Sequence, residues 1–309
     1  MIEEGEVWFN GRFVPAAEAR VSVLSHALHY GTAVFEGIRV YESASGPAAF
    51  RLGDHLDRLL RSAKLYSMPC PWSREELDAA CRELVARLGY SSCYLRPILF
   101  RGAGSMAVSP LAAPVEAAIA AWEWGAYLGE DGKRRGVRAK VSSWRRIGGD
   151  ALLPAAKASG HYLNSALAKM ETEAAGYEEG ILLDQRGFLS EGTGENVFVV
   201  EQGVISTPAL TASILPGITR ATVIELASDL GYEVRVRDVS RGELTLAEEV
   251  FVTGTAAELT PVREVDDVAV GDGRPGPVTL RLQALLEDVF RGGVELYAHW
   301  SDPIGTDPI

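Results

Sequence analysis

Hydrophobic and polar positions along the 309 residues follow two alternating periods, with one stretch that obeys neither. Residues 7–14 (VWFNGRFV) alternate around Asn10-Gly11, a dipeptide that tolerates two positive φ angles, and predict a hairpin. Leu56, Leu59, Leu60 and Ala63 then repeat at helical spacing, with Asp54 as candidate cap and Pro69 beyond the end. His55 and Arg58, three apart, share one face of that helix. Ser73 and Glu76 form a capping box ahead of Leu77, Cys81, Leu84 and Leu88, and Gly89 closes the helix. Residues 94–100 and 115–122 are strand-like, and residues 124–132 break the pattern with glycines. Beyond them, strand patterns recur at 137–142, 181–184, 188–189, 196–200, 204–206, 233–239 and 249–252. One helix follows Tyr162, with Leu163, Leu167, Met170 and Ala174 in step and Gly176 as its stop. Another opens at Pro216-Gly217, with Val223, Leu226, Ala227 and Leu230 on one side, and a last one covers 277–290. Residues 25–39, dense in His, Gly and aromatics, are either a functional wall or an awkward turn. The tail with Pro303 and Pro308 is expected to be loosely held.

These elements predict an α/β (α+β) chain in two parts. A small α+β domain spans 1–123, a linker spans 124–132, and a larger β-rich domain with flanking helices spans 133–309. Hydrophobic residues make up 47% and charged residues 23%, an ordinary globular composition. A net charge of −12 argues against a nucleic-acid partner, whose footprint is a basic patch. Cys70, Cys81 and Cys93 match no zinc or redox spacing, so no metal is expected. Their odd number, and an N-terminus without an apolar signal region, point to a reducing, cytoplasmic setting. No apolar run is long enough to cross a bilayer, and no membrane partner is expected.

Candidate chemistry starts at residues 155–162, where Lys157 stands among small residues ahead of Tyr162. It is one of five lysines in the chain. An amine in such surroundings is either an ordinary loop lysine or a desolvated nucleophile towards a carbonyl. Three other stretches offer it partners. Residues 190–196 (SEGTGEN) place Glu191 and Glu195 in a Gly-rich turn, where a carboxylate can face a fixed cation. Residues 215–220 (LPGITR) open a helix whose free N–H groups suit an anion, though a plain helix cap reads the same way. Residues 253–257 (TGTAA) follow an apolar strand with small and hydroxyl residues, as a phosphate cradle needs and as many turns look. Arg58 is either a bidentate anion ligand or a solvated helix charge.

Taken together and in this order, these stretches resemble the fold-type IV pyridoxal-phosphate enzymes, and specifically the branched-chain amino acid aminotransferases. The likeness runs from Val7 to about Phe290 and is carried by SHALHYGTAVFEGIR at 25–39, YLRP at 94–97, WGAYLG at 124–129, and AAKASGHY at 155–162. It continues through SEGTGENVF at 190–198, LPGITR at 215–220 and GTAAE at 254–258. The resemblance implies a two-domain fold-type IV architecture. The activity it implies is reversible amino transfer between Leu, Ile or Val and 2-oxoglutarate, giving branched-chain 2-oxo acids and L-glutamate. It implies that Lys157 binds the cofactor covalently and shuttles the substrate's proton, and that Glu191 faces the pyridine nitrogen. It also implies that Tyr162 bonds the ring's phenolic oxygen, and that Arg58, the Ile218 and Thr219 amides and Thr255 hold the phosphate. For the substrate, it implies that Tyr94 and the Thr255-Ala256 amides take the α-carboxylate. The side-chain pocket would be lined by Phe35, Gly37, Trp124 and Tyr127. Arg96 would pair with glutamate's γ-carboxylate, and Tyr30 and Val108 would reach in from a partner subunit. The partners implied are small amino acids and 2-oxo acids, and a homo-oligomer, a dimer or a dimer-based hexamer.

The chain departs from the family's pattern at His161, where many relatives carry Asn, and residues 101–106 vary among relatives. A D-amino acid transaminase, an aminodeoxychorismate lyase or an R-selective amine transaminase shares Lys157 and Glu191, but the stretches at 94–96 and 124–127 favour the branched-chain reading. A non-catalytic cofactor-binding protein would leave Lys157 and Glu191 without a role.

Overall fold

The computed structural model describes residues 5–125 and 127–305. Met1–Glu4, Ala126 of the WGAYLG stretch and Pro308 of the tail lie outside them. Two compact units emerge. The first holds the described residues through Trp124, together with Ala156–Gly160 and those from Val289 on; the second holds Gly125–Ala155 and His161–Asp288. This differs from a single division at 124–132, because the lysine loop and the tail both count with the first unit.

The first unit is an antiparallel sheet against two helices. Its strands are β1 (Glu6–Phe9), β2 (Arg12–Pro15), β3 (Ala33–Phe35), β4 (Ile38–Ser43), β5 (Gly46–Phe50), β6 (Cys93–Arg101) and β7 (Val115–Trp122). The order β5-β4-β6-β7-β1-β2 is completed by Ser301–Pro303 at the β5 edge, and β3 pairs with β6. Asn10 and Gly11 take φ of 47° and 88°, the left-handed values that an Asn-Gly hairpin turn requires. After the short helix α1 (His26–Tyr30), the helices α2 (Leu52–Leu65) and α3 (Arg74–Leu88) cover the sheet. Leu52, Leu56 and Leu59 meet Ile38, Val40, Leu95 and Ile119 in the core. The Ser73–Glu76 capping box forms as expected.

Asp54 does not cap α2. The helix begins two residues earlier, and its Leu52 N–H donates to Asp302 Oδ2 at 2.9 Å. Asp54 instead accepts from Arg51 Nε at 2.6 Å. The cap comes from 250 positions away, which no local pattern reveals. The tail is correspondingly docked rather than loose: Ser301–Pro303 pairs with β5 and Ile304 is buried.

The second unit is a ring of strands: β8 (Val137–Arg145), β9 (Glu179–Leu183), β10 (Leu189–Gly192), β11 (Asn196–Glu201), β12 (Val204–Thr207), β13 (Val234–Val236), β14 (Glu249–Gly254), β15 (Glu258–Val265) and β16 (Val268–Ala269). Along the order β10-β9-β8-β15-β14-β11, the last strand pairs back onto β10 through Glu191 and Asn196, closing six strands on themselves. Closure removes the sheet edges there, and Val141, Ile181, Val197, Val250, Val252 and Val262 pack in one apolar core. Around it lie α4 (Gly129–Arg135), α5 (Tyr162–Ala174), α6 (Ile218–Asp229), α7 (Arg241–Leu246) and α8 (Pro277–Phe290). Helix α5 inverts the simple amphipathic reading. Leu163, Leu167 and Met170 are exposed, and Asn164, Ser165, Ala168 and Thr172 are buried. Among the described residues no helix is long and apolar enough to cross a membrane.

Candidate active site

The site residues expected from the sequence fall into two sets, one in each unit. In the first unit, Lys157 sits on a loop bonded into the sheet layer. Phe35 N–H donates to the Lys157 carbonyl at 3.0 Å, and Val34 bridges Ala158. The Lys157 N–H donates to Ser62 Oγ, also at 3.0 Å. Both backbone groups of the lysine are thereby fixed. Its Nζ lies 5.0 Å over the Phe35 ring. The small residues around it permit close approach: a Cβ on Gly31 would come within 3.2 Å of the Gly160 backbone.

Ser62 belongs to a second stripe of α2, beside the leucines, formed by the buried His55, Arg58 and Ser62. Arg58 donates from Nε to Glu36 Oε1 at 2.6 Å and from Nη2 to Oε2 at 2.8 Å. His55 Nδ1 lies 2.7 Å from Glu36 Oε2. A carboxylate only accepts, so Nδ1 carries the hydrogen. Burial alone would raise the Glu36 pKa. The charge and hydrogen bonds of Arg58, with those of His55, outweigh it and hold the carboxyl well below its ordinary range. For His55, burial lowers the pKa, with Arg58 and Lys157 adding to it against the pull of Glu36. Neither Glu36 nor His55 is a site residue that the sequence points to: Glu36 lies in residues 25–39, which have no clean period, and His55 reads only as the neighbour of Arg58 on one helix face.

Arg96, on β6, meets a different environment. Its guanidinium carbon lies 4.8 Å from the Phe35 ring, 5.3 Å from Tyr94 and 5.7 Å from Trp122. Its Nε is buried without a hydrogen-bond partner, and no acid pairs with it among the described residues. Tyr94 is packed between Trp122 and Trp124 at 5.3 and 4.7 Å. Its hydroxyl crosses Gly37 so closely that a Cβ there would stand 1.7 Å away, so any side chain at position 37 would displace Tyr94. Arg39 donates to the Trp124 carbonyl at 2.8 Å. Tyr30 and Val108 are exposed. Tyr30 OH donates to the Met106 carbonyl at 3.0 Å, joining the two segments that carry them.

In the second unit, Glu191 lies at the strand closure, buried and gripped from three directions. Arg146 Nε stands 2.7 Å from Oε1, an ion pair whose N–H is not aimed along the line of contact. Leu215 N–H and Asn196 Nδ2 donate to Oε2 at 2.9 and 3.3 Å. Arg146 is steadied in turn by Asn164 of α5, which accepts from Ile147 N–H and donates to the Arg145 carbonyl. Asn196 also donates to the Leu215 carbonyl at 3.0 Å, and its Oδ1 lies where a Cβ on Gly217 would need to be, 2.0 Å away. One amide therefore ties the carboxylate to the start of α6. Asn196 is part of the recognised Gly-rich stretch but nothing there marks it as a partner of Glu191, and Arg146 carries no signal in the sequence.

The α6 start has no side-chain cap and no acid in its first turn, so the Ile218 and Thr219 amides and the helix dipole face an uncapped end. Across from Asn196 on β14, Thr253 Oγ1 is buried without a partner, just before Gly254-Thr255-Ala256. An open helix end beside an orphaned hydroxyl fits a phosphate-bearing group. Tyr162 is the first residue of α5, after the buried His161. Tyr127 has its hydroxyl pKa pushed above the ordinary range by burial, then by Glu195, Glu179, Glu173 and Tyr162. Glu195 is buried under its own turn, bonded by the Gly194 N–H at 3.0 Å. Burial, then Glu179, pushes its pKa up to about 8.

Comparison with known proteins identifies the family. The model of the family "Amino-transferase class IV" matches residues 33–265. The branched-chain-amino-acid aminotransferase of Escherichia coli K12 is 50% identical over 299 residues, 96% of this chain and 97% of that one. The solved T.th. branched-chain amino acid aminotransferase complexed with N-(5'-phosphopyridoxyl)-L-glutamate superposes with a TM-score of 0.94 at 49% identity, covering 99% of this chain and 100% of that one. The same enzyme complexed with 4-methylvaleric acid gives 0.94 at 48%, with the same coverage. Identity near one half, sustained along almost the whole length, means that this chain belongs to the class IV amino-transferase family, as an enzyme of its branched-chain-amino-acid aminotransferase branch.

Proposed function

We propose that this enzyme catalyses reversible, pyridoxal-phosphate-dependent transfer of the amino group from L-leucine, L-isoleucine or L-valine to 2-oxoglutarate, giving branched-chain 2-oxo acids and L-glutamate. The observation that carries the dual-substrate reading is Arg96. A half-buried guanidinium surrounded by three aromatic rings and paired to no acid among the described residues can receive a γ-carboxylate, and the same rings can receive an aliphatic side chain. The ligands of the two T.th. structures, a glutamate adduct and a leucine-sized acid, belong to those proteins and make the same pair of demands.

Bound pyridoxal phosphate supplies an aldehyde to take the amino group and a cationic ring to withdraw electrons. Lys157 would hold the cofactor at its aldehyde carbon, and its amine would move the proton of the substrate's Cα. Glu191 would face the ring nitrogen, where a carboxylate favours the protonated form of that nitrogen. The grip of Arg146, Leu215 and Asn196 supports this by holding the carboxylate in one orientation. Tyr162 donates to the ring's phenolic oxygen. The Ile218 and Thr219 amides, Thr255 and Arg58 hold the phosphate. Tyr94 and the Thr255-Ala256 amides take the α-carboxylate, and Phe35, Gly37, Trp124 and Tyr127 take the side chain. Exposed Leu24, Leu28, Tyr30, Met106 and Val108 favour a homo-oligomer in which Tyr30 and Val108 serve the partner. A cytoplasmic setting suits small amino and 2-oxo acids as partners.

Two measurements test the reading. Purified protein absorbs in the visible through the Lys157-bound cofactor, and Lys157→Ala is colourless; an equally coloured variant rules this lysine out. A substrate panel with Arg96→Ala loses on the order of 10²-fold in kcat/KM for glutamate, about 2–3 kcal/mol, and less for leucine. Equal losses for both end the dual-substrate reading.

A further inference from the structure

Arg58 is held more tightly than burial of one charge requires. A carboxylate can grip a guanidinium along its Nε–Nη2 side or across its Nη1–Nη2 end, and Glu36 takes the side. Two parallel bonds to a planar group fix its plane and aim its Nη1–Nη2 end in one direction. Glu36 is itself clamped. Its backbone N–H donates to the Pro97 carbonyl at 2.8 Å, and its Oε2 receives His55 Nδ1–H. His55 lies three residues before Arg58 on α2, so the helix sets the spacing of the two donors. The cluster combines one cation, one anion and a neutral imidazole. Its formal charges cancel, so what it offers an anion is direction rather than excess charge.

We propose that Glu36, oriented by His55, is a positioning residue: it aims Arg58 at the cofactor's phosphate and thereby sets the preference for a phosphorylated ligand over its dephosphorylated form. This rests on the reading of Arg58 as a phosphate ligand. Neighbouring Ser62, which bonds the Lys157 N–H from the same helix face, keeps that aim in register with the lysine.

The test is equilibrium binding of pyridoxal phosphate and of pyridoxal to the full-length apoprotein, followed by tryptophan fluorescence. The readout is the ratio of the two affinities. Arg58→Gln collapses the ratio. Glu36→Asp keeps the counter-charge but draws the carboxylate back by one methylene from both N–H groups, and it lowers the ratio about tenfold, the scale on which loss of a supporting hydrogen bond is felt, while pyridoxal binding is kept. His55→Gln leaves the ion pair in place and lowers the ratio less, which provides a second reading should Glu36→Asp not fold. If Arg58→Gln leaves the ratio unchanged, the phosphate role of Arg58 falls and this inference with it. If Arg58→Gln lowers the ratio but Glu36→Asp does not, Arg58 keeps its role and the positioning role of Glu36 is overturned. Equal weakening of both ligands by Glu36→Asp shows general damage and overturns it too.

Discussion

Two buried glutamates, one in each unit, meet opposite electrostatic fates. Glu36 has a guanidinium on both oxygens and an imidazole N–H on one of them, and its pKa falls. Glu195 has one backbone N–H, faces Glu179 and Glu191, and rises to about 8. The cation that could help it, Lys169, is engaged with Glu179 at 3.0 Å. Glu179 also takes the Thr193 hydroxyl and N–H. Burial penalises ionisation in both places, and the neighbours decide the outcome. Glu191 lies on the same turn as Glu195 but is partnered as Glu36 is, because Arg146, Leu215 and Asn196 converge on it.

The sharpest way to break the contrast is to strip the partners. Glu36→Ala leaves Arg58 buried without its counter-charge and is expected to cost about 3–5 kcal/mol in chemical denaturation. A loss below about 1 kcal/mol would mean that the pair adds nothing beyond packing. Glu191→Gln keeps shape and removes charge. It is expected to slow the half-reaction on the order of 10²-fold in single-turnover kinetics while phosphate binding persists, and unchanged turnover would dismiss its role at the ring nitrogen. Glu195→Gln is the mildest change and runs the other way. With an ordinary pKa of 4.5 unfolded and about 8 folded, the native state holds the proton more tightly. The stabilisation is full below 4.5 and is lost as the pH rises to 8. The variant should therefore gain on wild type over that window, by on the order of 1 kcal/mol near neutrality, a few degrees in a melting curve. Parallel pH–Tm curves for the two proteins would contradict a protonated Glu195.

Local chemistry makes part of this legible. The Asn10-Gly11 turn, the Ser73–Glu76 box and the helix Pro277–Phe290 each rest on residues within a few positions of one another, and each forms where expected. Lys157, Glu191 and the α6 start can be singled out for the same reason: small residues, a Gly-rich turn and a Pro-Gly helix opening are short-range signals. The partners are not legible. Asn196 reads as one letter of a turn, yet it bonds both Glu191 and the carbonyl of Leu215, 19 positions on. Arg146 has no signal, because what marks it is a carboxylate far along the chain, brought close by strand closure. Helix α5 shows the limit of periodicity itself. Its apolar stripe reads correctly as helical, but only packing decides that the stripe faces outward and that Asn164 and Thr172 face in.

By itself the sequence determined the local turns and caps, many of the elements and the family, and it singled out Lys157 as the candidate amine, because turns, caps and motif residues act through the bonds of their immediate neighbours. Tertiary structure alone decided which buried charges are paired, that α2 is capped by Asp302, and that the lysine loop is pinned by Phe35 and Ser62. Such pairings depend on distances of a few ångströms between residues far apart in the chain, and they exist only once the strands have closed and the helices have packed.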